Sequence, residues 1–166
     1  GVKMSKNKAS EALKLIPYGF YALTSRDGDE MNAMVINWFS QVSFEPQHVA
    51  VGLQNSSYSM NLVSKSHKFV LNIFHQEDAD EIKPFTKSRE KNPEKFKKAD
   101  FSEGPVTGVP VLDSASAYLE CEVVEIVDTA AGHSVVIAKV VGGEVRKEIS
   151  VNQTLTLPHL GWSYAG

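Results

Sequence analysis

Met31-Asn-Ala-Met-Val-Ile-Asn-Trp-Phe-Ser-Gln-Val-Ser-Phe-Glu-Pro46 is apolar enough for a β-strand, yet it carries more polar groups than a packed strand needs. Asn32, Asn37, Ser40, Gln41 and Ser43 are short amides and hydroxyls. Trp38 and Phe39 sit among them. Such a strand can offer hydrogen bonds and a flat wall to a bound ring.

The flanks make this stretch the return half of a hairpin. Gly19 to Ser25 is rich in Phe, Tyr and Thr, which suit strands. Arg26-Asp-Gly-Asp-Glu30 follows, with Asp27-Gly28 as the turn signal, and Glu45-Pro46 closes the return strand. Upstream, Ser10 to Ile16 reads as a short helix capped by Ser10 and ended by Pro17. Residues 1–9 are expected to fray, leaving 10–166 as one domain.

Downstream, His48 to Leu53 is a third strand. Tyr58 to Lys65 is a helix with a serine start at Ser56 and Ser57. Phe69 to Phe74 is nearly all apolar, which predicts a central strand buried on both faces. Residues 77–100 read as two short helices limited by Pro84 and Pro93, and 104–113 as a Gly/Pro loop with at most a short edge strand.

Ala117 to Val127 alternates with a change of phase. Leu119, Cys121 and Val123 share one face, and Glu125 then falls on it, so a one-residue bulge is expected near Val124. Thr129 to Gly132 turns the chain into His133–Val141, the strongest strand signal. Gly142-Gly143 interrupts it, and the chain ends in Leu160-Gly-Trp-Ser-Tyr164. About six strands with hairpin-length links and a few helices point to a closed or half-closed antiparallel barrel.

Composition narrows the function. A net charge of −3 argues against nucleic-acid binding. The Lys and Arg between Lys83 and Lys98 alternate with Glu90 and Glu94, as on a solvated helix face. No apolar run approaches the ~20 residues of a membrane span. The one cysteine, Cys121, permits no internal disulfide and fits a reducing, cytoplasmic setting. It lies mid-strand, where a small apolar residue would serve as well. The histidines His48, His67, His75, His133 and His159 show no metal-ligand spacing, so no metal is expected. Neither a Gly-x-Ser-x-Gly elbow nor a dinucleotide or P-loop glycine motif occurs. Any nicotinamide is therefore expected on a shallow surface.

Gln54-Asn-Ser-Ser-Tyr-Ser59 joins a strand to a helix start. Two readings stand open: a phosphate held at the helix N-terminus, or a plain serine cap.

Taken together, Asn32 to Pro46, Val51-Gly-Leu-Gln-Asn-Ser-Ser-Tyr-Ser59 and Phe69-Val-Leu-Asn-Ile73 resemble the flavin reductase-like, FMN-binding split-barrel family. Ala117-Tyr-Leu-Glu-Cys-Glu-Val-Val124, Gly132-His133 and Gly142-Gly-Glu-Val145 match its second half. The resemblance runs from about Ala12 to Val145 and is closest to flavoredoxin-like reductases and the reductase module of flavodiiron systems. It implies a Greek-key split barrel, mainly β with short covering helices. It implies a homodimer holding FMN near the interface, with NADH or NADPH giving a hydride to flavin N5 and an acceptor taking the electrons. No protein residue need act as acid or base.

The resemblance sets Asn37, Trp38, Ser40, Gln41 and Val42 along the ribityl chain and ring, with Asn32, Val35 and Ile36 on the same run. It sets Ser57 and Ser59 near the phosphate with Asn55 beside them, and brings Lys87 and Arg89 toward it. His133 matches a family histidine usually preceded by Gly-Asp, here replaced by Ala131-Gly132. Trp162 and Tyr164 can cover the flavin or the partner subunit, or simply pack as a tail. Two other functions remain open: an FMN electron carrier reduced by a protein partner, and a non-catalytic FMN or haem module.

Overall fold

A computed structural model describes residues 2–86 and 100–162, with side chains from Lys8 onward. The basic positions Lys87 and Arg89, and Tyr164, lie outside the described residues.

The strands are β1 (Tyr21–Asp27), β2 (Glu30–Ile36), β3 (Phe39–Phe44), β4 (Gln47–Gln54), β5 (Lys68–Ile73), β6 (Phe101–Glu103), β7 (Pro110–Leu112), β8 (Ala117–Asp128) and β9 (His133–Val145). Helices α1 (Val2–Leu13), α2 (Tyr58–Ser66) and α3 (Ala79–Ile82) accompany them. Seven strands form one antiparallel sheet in the order β2-β1-β5-β8-β9-β4-β3, and β6 and β7 pair apart. The expected mainly-β antiparallel barrel is what forms.

The expected hairpin between β1 and β2 closes at Asp27↔Glu30. Gly28 takes φ 61°, a left-handed turn position that glycine fills without a Cβ penalty. The return strand, however, is not one strand. It breaks after Ile36, and β3 resumes at the opposite end of the sheet order from β2. Asn37 and Trp38 carry the chain across the gap that keeps the sheet from closing. The edge-on rings of Tyr21 and Phe39, 5.0 Å apart, bridge it.

Period-2 alternation then sorts the core. Leu23, Phe69, Leu71, Val49, Val51, Val136 and Cys121 fill the barrel interior. Burying each large side chain contributes about 1.5–3 kcal/mol. Phe20, Ala22, Phe74, Leu155 and Leu157 build a second core on the outside of β1 and β5. There the C-terminal segment is laced on by Leu155 N–H to Phe74 O (2.8 Å) and Leu157 N–H to Tyr18 O (3.1 Å). Phe69–Phe74 is thus covered on both faces, as expected.

The β8 register skips Val124, which is the expected bulge. A second irregularity lies opposite, where Val141 of β9 is skipped. Gly142-Gly143 does not interrupt β9, which runs on to Val145. Two further expectations need correction. α1 starts at Val2 and ends at Leu13, so Ser10 lies within the helix instead of capping it, and the first residues form a helix where fraying was expected. The 104–113 loop is framed by the β6–β7 ribbon. It is tied down by Glu120, whose fully buried carboxylate accepts from Thr107 N–H (2.9 Å), Thr107 Oγ1 (2.8 Å) and Val106 N–H (3.2 Å).

Candidate functional site

The crossing at Asn37-Trp38 creates the site. Trp38 lies flat on β4 because residue 52 is glycine. A Cβ there would stand 3.2 Å from Trp38 Cε3 and 3.3 Å from its Cβ. The Gly52 N–H donates to Trp38 O at 2.8 Å, fixing the backbone under the indole. His133 braces it from β9, with ring centroids 5.3 Å apart. Asn37 Nδ2 donates to Gly19 O at 3.3 Å.

Trp38 walls a pocket of about 380 Å³ that Val35, Ile36, Asn37, Phe20, Thr86, Leu157 and Trp162 also line. No described lining side chain is charged. Trp162 reaches it because the C-terminal segment is clamped down. Its N–H donates to Leu157 O (3.1 Å) and its ring meets Phe20 edge-on at 5.7 Å.

A polar rim continues from the indole. Gln54 pairs with His133 across β4 and β9. Asn55 N–H donates to Gly132 O (2.9 Å), and Ser134 Oγ donates to Asn55 Oδ1 (2.6 Å). Ser57 then caps α2, its hydroxyl accepting from Met60 N–H at 3.1 Å. The rim thus joins Trp38, His133, Asn55 and Ser57 into one run ending at a helix N-terminus, where backbone donors and the dipole favour an anion.

Ser40, Gln41 and Val42 sit on β3, the terminal strand of the order, with their side chains exposed. They do not line the pocket. Ser40 Oγ donates to Gln41 O and Gln41 Nε2 to Ser43 O, and the register slips at Val42. A terminal strand turns alternate N–H groups outward, so β3 presents backbone donors beside the pocket.

Asn32 and Ser59 are corrections. Both are buried, at 3% and 0% exposure, and Asn32 Nδ2 donates to Ser59 Oγ at 2.9 Å. Neither hydroxyl nor amide faces the rim. Cys121 is a core residue, as expected, and burial together with Glu120 pushes its thiol up to about 12. Among the described residues no group of three or more His, Cys, Asp or Glu is placed to hold a metal. None of the described helices is long and apolar enough to cross a membrane.

Phe20, Gly52, Thr86 and Leu157 belong to the site and were not anticipated. Gly52 left a signal, since a glycine inside an apolar strand marks close approach by another group. Phe20, Thr86 and Leu157 arrive through contacts distant in sequence and leave none.

Comparison with known proteins converges on one domain type. A model described as "Flavin reductase like domain" matches residues 13–160. The chain is 29% identical to diflavin flavoprotein A 1 of Synechocystis sp. over 147 residues, covering 88% of this chain and 25% of that protein. It is 25% identical to an NADPH-flavin oxidoreductase of Streptomyces viridifaciens, covering 79% of this chain and 68% of that one. Component B of nitrilotriacetate monooxygenase from Mycobacterium thermoresistibile superposes with a TM-score of 0.78 at 22% identity, covering 91% of this chain and 82% of that one. At that identity the likeness is one of fold. The chain spans about a quarter of the length of the diflavin flavoproteins it matches.

Proposed function

The chain belongs to the flavin reductase-like domain family, and from that premise we propose that it holds FMN in the Trp38 pocket and passes electrons from NAD(P)H to an acceptor. The observation that carries this reading is the indole wall, braced by Gly52 and His133 over an uncharged pocket. At about 380 Å³ the pocket falls within the usual range for small-molecule sites.

The residues present fit a flavin. Trp38, Val35 and Ile36 offer its ring an apolar face, and Asn37 an amide at the edge. The outward N–H groups of β3 around Gln41 and Val42 offer donors to the polar end of the ring. Ser57 and Asn55, at the start of α2, suit the phosphate. Bound FMN would supply the redox chemistry itself, accepting a hydride and releasing electrons. The protein's part is to bind, orient and keep water out, with Trp162 and Phe20 closing the apolar end. No acid or base from the chain is required.

A second copy of the chain completes the site in this reading. Phe44 and Val42 are 87% and 54% exposed on the terminal strand β3, an apolar edge that a partner would cover. One observation favours the electron-carrier alternative. The diflavin relatives are about four times as long as the matched region and are named for two flavins, so a domain of this kind stands there beside further chain.

Titration of added FMN, followed by quenching of its fluorescence, tests binding. Oxidation of NADH or NADPH with FMN present separates a reductase from a carrier that needs a protein donor. A protein that neither binds FMN nor quenches it would refute both.

A further inference from the structure

The first turn of α2 is fastened to β2 by two side-chain hydrogen bonds. Asn32 Nδ2 donates to Ser59 Oγ at 2.9 Å, and Tyr58 OH donates to a Glu30 carboxylate oxygen. Asn32 and Ser59 are buried, and they stand two residues along β2 and one along α2 from the Glu30–Tyr58 pair. Ser57, the cap of α2 and the end of the polar rim, lies two residues before Ser59. At its other end β2 leads through Val35 and Ile36 into Asn37 and Trp38.

The burial of Asn32 is not explained by stability. Its side chain shares a face with Met34 and Ile36, which pack against the main core. Its Oδ1 has no hydrogen-bond partner, nor has the buried Oγ of Ser25, the residue opposite it across β1 and β2. A buried polar atom without a partner is costly, and an apolar residue of the same size would avoid the cost. What the amide does, and a leucine cannot, is hold Ser59.

We propose that Asn32 is a positioning residue, which sets the start of α2 against β2 and so fixes the distance between the phosphate end and the Trp38 end of one ligand. The proposal rests on the FMN reading above. Its prediction concerns discrimination: riboflavin has the same ring and ribityl chain as FMN but no phosphate. Only FMN feels where the α2 turn stands.

The test compares FMN and riboflavin binding in the wild type, in Ser59→Ala and in the double variant Asn32→Leu with Ser59→Ala. Removing both partners together leaves no new unpaired group, so the double variant should melt at or above the wild-type temperature. Its preference for FMN over riboflavin should nevertheless fall by roughly tenfold, the scale of one charge-assisted hydrogen bond. Ser59→Ala, a one-atom deletion, should move the preference the same way and stands as the test if the double variant does not fold. An unchanged preference, with both flavins binding as before or both weakened alike, overturns the positioning role. A wild type that binds FMN and riboflavin equally overturns the phosphate assignment itself, and the positioning role with it.

Discussion

Gly52 and Trp38 are in backbone and side-chain contact at once: the Gly52 N–H donates to Trp38 O at 2.8 Å, and the indole covers the place where a Cβ would be. A side chain at 52 must push the indole toward the pocket it walls. Gly52→Val is therefore expected to weaken FMN binding by about tenfold or more, with a stability loss of about 1–3 kcal/mol from overpacking. Isothermal titration and urea unfolding check the two numbers separately. Full affinity in a destabilised Gly52→Val would show that Trp38 does not wall the flavin.

Ser57 has two roles that a pair of measurements can separate. As the cap of α2 it accepts from Met60 N–H. Ser57→Ala should cost about 1 kcal/mol of stability by loss of that cap. It should also weaken FMN more than riboflavin, since only FMN carries the phosphate. Equal losses for the two flavins would leave only the cap.

Glu120 makes a contrasting case. Its carboxylate holds Val106 and Thr107 and is packed against Gly104 and Gly142, away from the polar rim. Glu120→Ala takes the acceptor from the Val106 and Thr107 N–H groups and empties a fully buried position, for an expected loss of about 3 kcal/mol. FMN affinity of the folded fraction should stay within about twofold, because Glu120 is not among the residues that line the pocket. Binding lost in proportion to fold, and no further, is the expected outcome of a combined melt and titration.

Cys121 gives the pH dependence. Burial, then Glu120, raises its thiol from 9.0 to about 12. The folded state keeps the proton that the unfolded chain releases, so this contribution is whole below about pH 9 and is lost as pH rises toward 12. The slope is about 1.4 kcal/mol per pH unit in that window. Burial raises the Tyr21 phenol too, which acts in the same sense at higher pH. Urea midpoints between pH 8 and 11 should fall more steeply for the wild type than for Cys121→Ala. NAD(P)H oxidation by Cys121→Ala should match the wild type at neutral pH.

Much of this was written locally. Asp27-Gly28 marked a two-residue turn, Glu125 on an apolar face marked the Val124 bulge, and Ser57 ahead of an amphipathic run marked the α2 cap. The break of residues 31–46 into β2 and β3 was not legible, since Asn37 is no poorer a strand former than Asn32, which stays within β2. The break follows from the need to carry the chain from one end of the sheet to the other. Asn32 and Ser59 read as ligand groups in the sequence because an amide or hydroxyl looks alike inside and outside. The alternation did hold the clue, because Asn32 keeps phase with Met34, which packs against the main core. The lining residues Phe20 and Leu157 meet only through the lacing of the C-terminal segment onto residues 18–20 and Phe74, which no local pattern reports.

Whether FMN lies against Trp38 is read out by a fluorescence titration of FMN into wild type and Trp38→Leu. The wild type should quench FMN fluorescence to saturation at one flavin per chain. Trp38→Leu, with an unchanged circular dichroism spectrum, should bind at least about tenfold more weakly and quench less, through loss of the aromatic wall. Equal affinity and equal quenching in the two proteins would mean that the flavin binds elsewhere than against Trp38.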